Sequence, residues 1–165
     1  MFDYIKLSPE RTFRRTPGVH FADIGVPGSN GIDLVEHNGP SVSPPLADGA
    51  KQWYVHRCQT DNNRVIRGQR LFELYNPAWT FPHWFVFLDE NSGALEIPPG
   101  CLHRSYSGNE GSVLLNHAIR TDGYDENTEF IPVQSPRWRW AWTRYYNCSP
   151  REVELFISTG ELPCH

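Results

Sequence analysis

Short runs in which apolar and polar residues alternate dominate this chain, and they are densest over residues 52–119. A period of two sends successive side chains to opposite faces of a strand, so each run predicts a half-buried strand. The runs fall at 52–59, 64–67, 70–76, 83–88, 94–97 and 112–119, broken by turn-forming Asn76-Pro77, Asn91-Ser92-Gly93 and Gly108-Asn109-Glu110-Gly111. Short strands at regular spacing predict a β-sandwich or a small barrel. Residues 1–50 carry more turn signals than strand signals: Thr16-Pro17-Gly18, Val26-Pro27-Gly28 and Gly39-Pro40 punctuate two short pieces at 19–24 and 32–36. This part reads as a loop-rich lid or an edge hairpin of the same domain.

One helix is signalled near the end. Ser149 is a capping residue, Pro150 suits the first helical position, Glu152 completes a capping box, and Gly160 stops the run Val153-Glu154-Leu155-Phe156-Ile157. Upstream, Trp138, Trp140 and Trp142 alternate with Arg137, Arg139 and Ala141, which predicts a strand packing one aromatic face. The run Ile97-Pro98-Pro99-Gly100-Cys101-Leu102-His103 predicts a sharp corner. Proline fixes φ and glycine admits the turn, so the chain re-enters the sheet with His103 just past the bend.

Composition narrows the picture. The chain has 165 residues, 39% hydrophobic and 21% charged, enough for one core and one domain. Thirteen glycines, fourteen prolines and 13% aromatic residues suit strands and turns rather than a helical bundle. A formal charge of -4 offers no field for nucleic acid or an anionic membrane, so an anionic ligand must be met by local arginines. Cys58, Cys101, Cys148 and Cys164 lack CxxC spacing, the N-terminus lacks the basic-then-apolar pattern of a signal peptide, and no apolar run approaches bilayer length. These features predict free, buried thiols and a cytoplasmic protein without membrane contact.

Taken in order, His56-Arg57-Cys58-Gln59-Thr60-Asp61, Arg67-Gly68, Asn76-Pro77-Ala78-Trp79, His83-Trp84 and the corner ending at His103 resemble the cupin superfamily. Within it the likeness is to the dTDP-4-dehydrorhamnose 3,5-epimerase and dTDP-sugar isomerase group. The resemblance implies an all-β fold, a double-stranded β-helix or cupin jelly roll, with its barrel core over residues 51–133. Residues 1–50 would be a lid or edge strands, and 134–165 an aromatic strand and a short helix. It also implies a homodimer, no cofactor, and a nucleotide-activated keto-deoxysugar, a dTDP-sugar, as substrate. In that group one histidine removes a proton beside the keto group, and His56 matches it; His103 matches a second histidine after the corner. Asn76 stands where the second histidine's aspartate partner falls. The group's enolate-stabilising lysine falls near Asp61 or Asn62 and its tyrosine acid near Leu115 or Asn116, leaving Tyr106, Tyr75 and Arg70 as candidate replacements.

Proton abstraction beside a carbonyl needs a base titrating near neutrality and a group that stabilises the enolate, which explains the histidine. The candidate catalytic residues are therefore His56, His103, Asn76 and Tyr106. Arg57, Arg64, Arg67, Arg70 and Arg104, with Tyr75, Trp84 and Asn116, are the candidates for substrate binding, since arginine forks suit a pyrophosphate or a carboxylate. Two other readings stay open. One is a metal-dependent, oxygenase-type cupin with one divalent iron, nickel or zinc ion on His56, Cys58, Asp61 and His103, strand alternation turning His56 and Cys58 to one face. The other is a non-catalytic binder of sugars or small molecules. His20 and His37 read as surface residues.

Overall fold

The computed structural model describes residues 5–134 and 142–161. Its elements run β1 (Lys6–Ser8), β2 (Arg11–Thr16), β3 (Val19–Asp23), β4 (Gly31–His37), β5 (Ser41–Ser43), β6 (Gln52–Val55), β7 (Gln59–Tyr75), β8 (His83–Leu88), β9 (Ala94–Ile97) and β10 (Leu102–Arg120). There follow α1 (Glu126–Glu129), β11 (Val133–Gln134), β12 (Thr143–Tyr146) and α2 (Pro150–Thr159).

Strands β7 and β10 are the axis of the fold. They pair antiparallel along most of their length, and each passes from one layer of a sandwich to the other. In one layer, residues 102–107 and 70–75 of the pair lie between β5 and β6 on one side and β8 on the other, with β12 beyond β8. In the other layer, the remaining halves lie between β4 and β9, with β1 beyond β9. This is the all-β double-stranded β-helix expected from the sequence.

The passage between layers is made at two glycines. Gly68 and Gly111 have φ of +76° and +70°, and a Cβ added to them would lie 2.6 Å from the Gly111 carbonyl oxygen and 2.1 Å from that of His37. Register shifts at Ser107/Ser112 and Val113/Leu114 bend the ribbon at the same place. One break between runs and one turn expected from the sequence are therefore bends inside long strands. The pieces 64–67 and 70–76 form one strand through Gly68, and Gly108-Asn109-Glu110-Gly111 lies within β10.

Alternation then sorts the side chains. Inward positions build the core of Val65, Phe72, Leu74, Val86, Leu88, Leu95, Ile97, Cys101 and Leu114. Outward positions Leu71, Phe85, Phe87 and Tyr106 form a second layer closed by Val153 and Phe156 of α2. The capping box forms as expected: Ser149 Oγ accepts from the Glu152 N–H, Glu152 accepts from the Ser149 N–H, and Gly160 ends the helix at φ +73°. Burying Phe156 contributes about 2–3 kcal/mol, enough to hold so short a helix on the sheet.

The N-terminal residues divide. β1, β4 and β5 are strands of the sandwich, whereas β2 and β3 pair as a separate, largely exposed hairpin. Trp138 and Trp140 lie outside the described residues, and Trp142 is exposed in a turn. No helix among the described residues is long and apolar enough to cross a membrane.

Replacing Gly111 with alanine forces a Cβ into a carbonyl oxygen at a positive φ. The expected loss is about 2 kcal/mol or more, read as a lower urea midpoint with an unchanged slope.

Candidate active site

The strand expected over 52–59 breaks at His56-Arg57-Cys58, and the break has a cause. Glu129 of α1 is buried, and its carboxylate accepts the N–H groups of Arg57 at 2.7 Å and Cys58 at 3.0 Å. These two amides turn to a side chain instead of a neighbouring strand. The Glu129 carbonyl accepts from His56 Nδ1 at 2.8 Å. From the other side, the proline corner donates its Gly100 N–H to the His56 carbonyl at 2.8 Å, and β10 then sets out with His103. Two ties thus bring the histidine rings to a centroid separation of 4.9 Å.

The tautomers follow from the partners. His103 Nδ1 lies 3.1 Å from the Cys101 carbonyl, and a carbonyl only accepts, so both Nδ1 atoms carry hydrogen. Both Nε2 atoms therefore face Asp61 Oδ2, at 3.4 Å from His56 and 3.5 Å from His103. The other Asp61 oxygen accepts from Gln59 Nε2 at 2.7 Å and Asn116 Nδ2 at 2.9 Å. This cluster opens on a cavity of about 270 Å³, whose lining includes Tyr54, Asn63, Arg70, Ser105 and Phe130.

Burial acts against charge on all three groups, with different outcomes. For His56, burial is outweighed by Asp61 and Glu129, which raise its pKa above the ordinary imidazole value. Burial pushes His103 down to about 4, helped by His56 and opposed by Asp61. Burial would raise Asp61, yet the two histidines and Gln59 hold it below the usual carboxylate range. Near neutrality an ionised Asp61 and a neutral His103 flank a histidine with enhanced basicity.

The structure brings together His56, His103, Arg70 and Asn116 from the expected residues, with Asp61 from the alternative metal set, and separates the others. Asn76 caps a turn, its Oδ1 accepting from the Ala78 N–H. Tyr106 and Arg104 point to the outer face of the sheet, where Tyr106 donates to Glu73 at 2.6 Å and Arg104 donates to the Gln52 carbonyl. The cause is strand parity: from His103, the inward neighbour is Ser105, not Arg104 or Tyr106. Arg57 is exposed, Arg67 pairs at the surface with Glu36, and Arg64 reaches the Ser8 carbonyl outside the cavity. Trp84 packs on the barrel core, and Tyr75 is not in the cavity lining. Cys58 also departs from expectation. With no strand through 56–58 it does not share a face with His56, and its thiol lies beside Gly123. Cys101 is a buried free thiol as expected, while Cys58 and Cys148 are only partly buried. His37 is half-buried rather than on the surface, 2.8 Å from Ser107 Oγ.

Glu129, Gln59 and Tyr54 were not legible as site residues. Asp125, which caps α1 by accepting from the Asn127 N–H, was the one local signal for the helix that carries Glu129.

No protein-family model matches the chain. No curated protein sequence matches it either. Solved structures do. A mutant 3,4-ketoisomerase from Thermoanaerobacterium thermosaccharolyticum in complex with TDP-4-keto-6-deoxyglucose is similar with a TM-score of 0.59 and 17% identity, over 77% of this chain and 86% of that one. A dTDP sugar isomerase from Desulfovibrio desulfuricans gives 0.58 and 18%, over 82% and 85%. A dTDP-4-dehydrorhamnose 3,5-epimerase from Elizabethkingia anophelis gives 0.57 and 8%, over 77% and 74%. At these identities the likeness is one of fold: the chain has the cupin jelly roll found in dTDP-sugar isomerases and epimerases.

The shifted groups make stability depend on pH. The unfolded chain protonates His103 near 6.5 and the folded chain only near 4, so stability falls as pH drops between these values and then levels. Half-buried His37, also lowered to about 4 by burial and Arg70, adds to the same limb. Asp61, with a depressed value, contributes stability that is lost only at still lower pH. His56, with a raised value, contributes below about 6.5 and loses that contribution as pH rises through its folded value. In urea unfolding at stepped pH, His103→Gln is expected to flatten the limb between 6.5 and 4.

Proposed function

We propose that this chain is a sugar-nucleotide isomerase, moving a proton beside the keto group of a nucleotide-activated keto-deoxysugar such as a dTDP-sugar. The reading is supported by two histidines converging on one buried carboxylate, at a cavity, in a fold shared with ketoisomerases. His56 is the base. Its Nε2 takes the proton from the carbon beside the carbonyl, and Asp61 stabilises the imidazolium that results. Shifting a keto group to the neighbouring carbon moves a second proton, from the adjacent hydroxyl to the former keto oxygen. His103 suits this relay because it is neutral and its Nε2 lone pair faces the others. His56 then returns its proton to the former carbonyl carbon, so both histidines end as they began. Inversion at a carbon requires donor and acceptor on opposite faces of the ring. The two histidines adjoin at 4.9 Å, which favours isomerisation over epimerisation.

A second reading has its own observation. One nitrogen of each histidine and an Asp61 oxygen lie within 4.8 Å of one another, both Nε2 atoms face Asp61, and each Nδ1–H is held by a carbonyl, the arrangement that orients metal-bound imidazoles. These three residues fit one divalent ion, iron, nickel or zinc, without Cys58. A bound ion would polarise a keto oxygen as a Lewis acid.

Incubation with dTDP-4-keto-6-deoxyglucose in D₂O is expected to place deuterium beside the keto group, and His56→Ala to slow this exchange by about 10²–10⁴-fold. Exchange that survives EDTA supports proton transfer by the histidines. One equivalent of metal in the purified protein, lost in Asp61→Asn together with a chelator-sensitive exchange, selects the second reading. No exchange with any keto-deoxysugar nucleotide overturns the isomerase assignment.

A further inference from the structure

Arg70 lines the same cavity and has no acidic partner among the described residues. The register sets it opposite Ser107, four positions along β10 from His103. That is about 13 Å of extended strand. The residue is 1% exposed. Its Nε donates to Ser112 Oγ at 2.9 Å, and its Nη2 to the carbonyls of Ser112 at 3.3 Å and Val35 at 3.4 Å, all neutral acceptors. The other buried guanidiniums differ: Arg104 has Glu73 at 4.0 Å, and Arg64 lies in the field of Glu10. His37 stays neutral beside Arg70, so this end of the cavity holds a lone positive charge. Burying an ion without compensation is among the costliest arrangements in a protein, and a ligand that supplies the opposite charge relieves it.

We propose that Arg70 is the receptor for a planar oxyanion on the ligand of this cavity. The oxyanion is a carboxylate, at the end of the cavity away from His103, so the proposal does not rest on the isomerase reading. One small planar group fits because Nε and Nη2 are already engaged, leaving Nη1 without a hydrogen bond among the described residues. A phosphate dianion asks for several donors, and Asp33 and Asp61 on the same lining oppose a second negative charge.

Thermal unfolding of the full chain with acetate, acetamide or inorganic phosphate tests the proposal. Acetate is expected to raise Tm with concentration while acetamide does not, and Arg70→Met to lose the response while unfolding at an equal or higher temperature. Arg70→Lys should keep a weaker response. An acetate response lost in Arg70→Met assigns the carboxylate. Absence of an acetate response, or an acetate response that survives in Arg70→Met, overturns the proposal. So does a response to phosphate but not acetate that depends on Arg70, because it gives this end to a diphosphate. Wild-type protein that fails to exchange but responds to acetate through Arg70 sinks the isomerase reading and supports this one.

Discussion

The pairing of β7 with β10, bent at Gly68 and Gly111, is the constraint on which everything else rests. Two strands of this length cannot stay flat, because strand twist accumulates along them. The glycines let the ribbon fold over and become the spine of both layers. Without the bend, Asp61 and His103 would stand on distant parts of one ribbon. With it, the front of β7 and the front of β10 face each other across the barrel mouth, and the Gly100 to His56 hydrogen bond closes the gap.

A polar site inside an apolar barrel is stable only if its groups satisfy one another. The inward positions of β7 and β10 change character along the strands: Asp61, Asn63, Ser105 and Asn116 line the cavity, while Val65, Leu74 and Leu114 belong to the core. Around Asp61 the network is nearly closed, with Gln59, Asn116 and both histidines on its two oxygens. Asn116 in turn accepts the Asn62 N–H, which fixes its amide and so its donation to Asp61. Such a network is rigid because each member orients the next. Arg70 lacks this closure.

The fold was legible because it rests on local signals that survive tertiary context: alternation, the proline corner, and the capping box of α2. His103 was legible for the same reason, sitting just past the proline corner, whereas His56 was matched through the resemblance and the strand break beside it was not foreseen. Asp61 was weighed only as a metal ligand, since a charged residue within Thr60-Asp61-Asn62-Asn63 looks like solvated turn until both histidines are seen to converge on it. Glu129 was hidden by burial that nothing in Asp125-Glu126-Asn127-Thr128-Glu129 announces. Tyr106 and Arg104 failed on parity, because a pattern shows that residues alternate without showing which set faces inward.

Asp61 and Arg70 give the cavity two poles. Asp61 is held ionised, and the charge it lends to His56 makes that ring a stronger base than an exposed histidine. Arg70 lies on the same lining, further along β7, where its charge meets an anionic group on a bound ligand. Proton abstraction separates charge, placing a positive charge on the base and a negative one on the substrate. A cavity that already holds a negative charge beside the base is polarised to receive the first, while the positive charge further along β7 acts on the second from a distance. Its dipoles are fixed by the fold, so they need little reorganisation when the charge moves, which is the condition under which electrostatics lowers a barrier most.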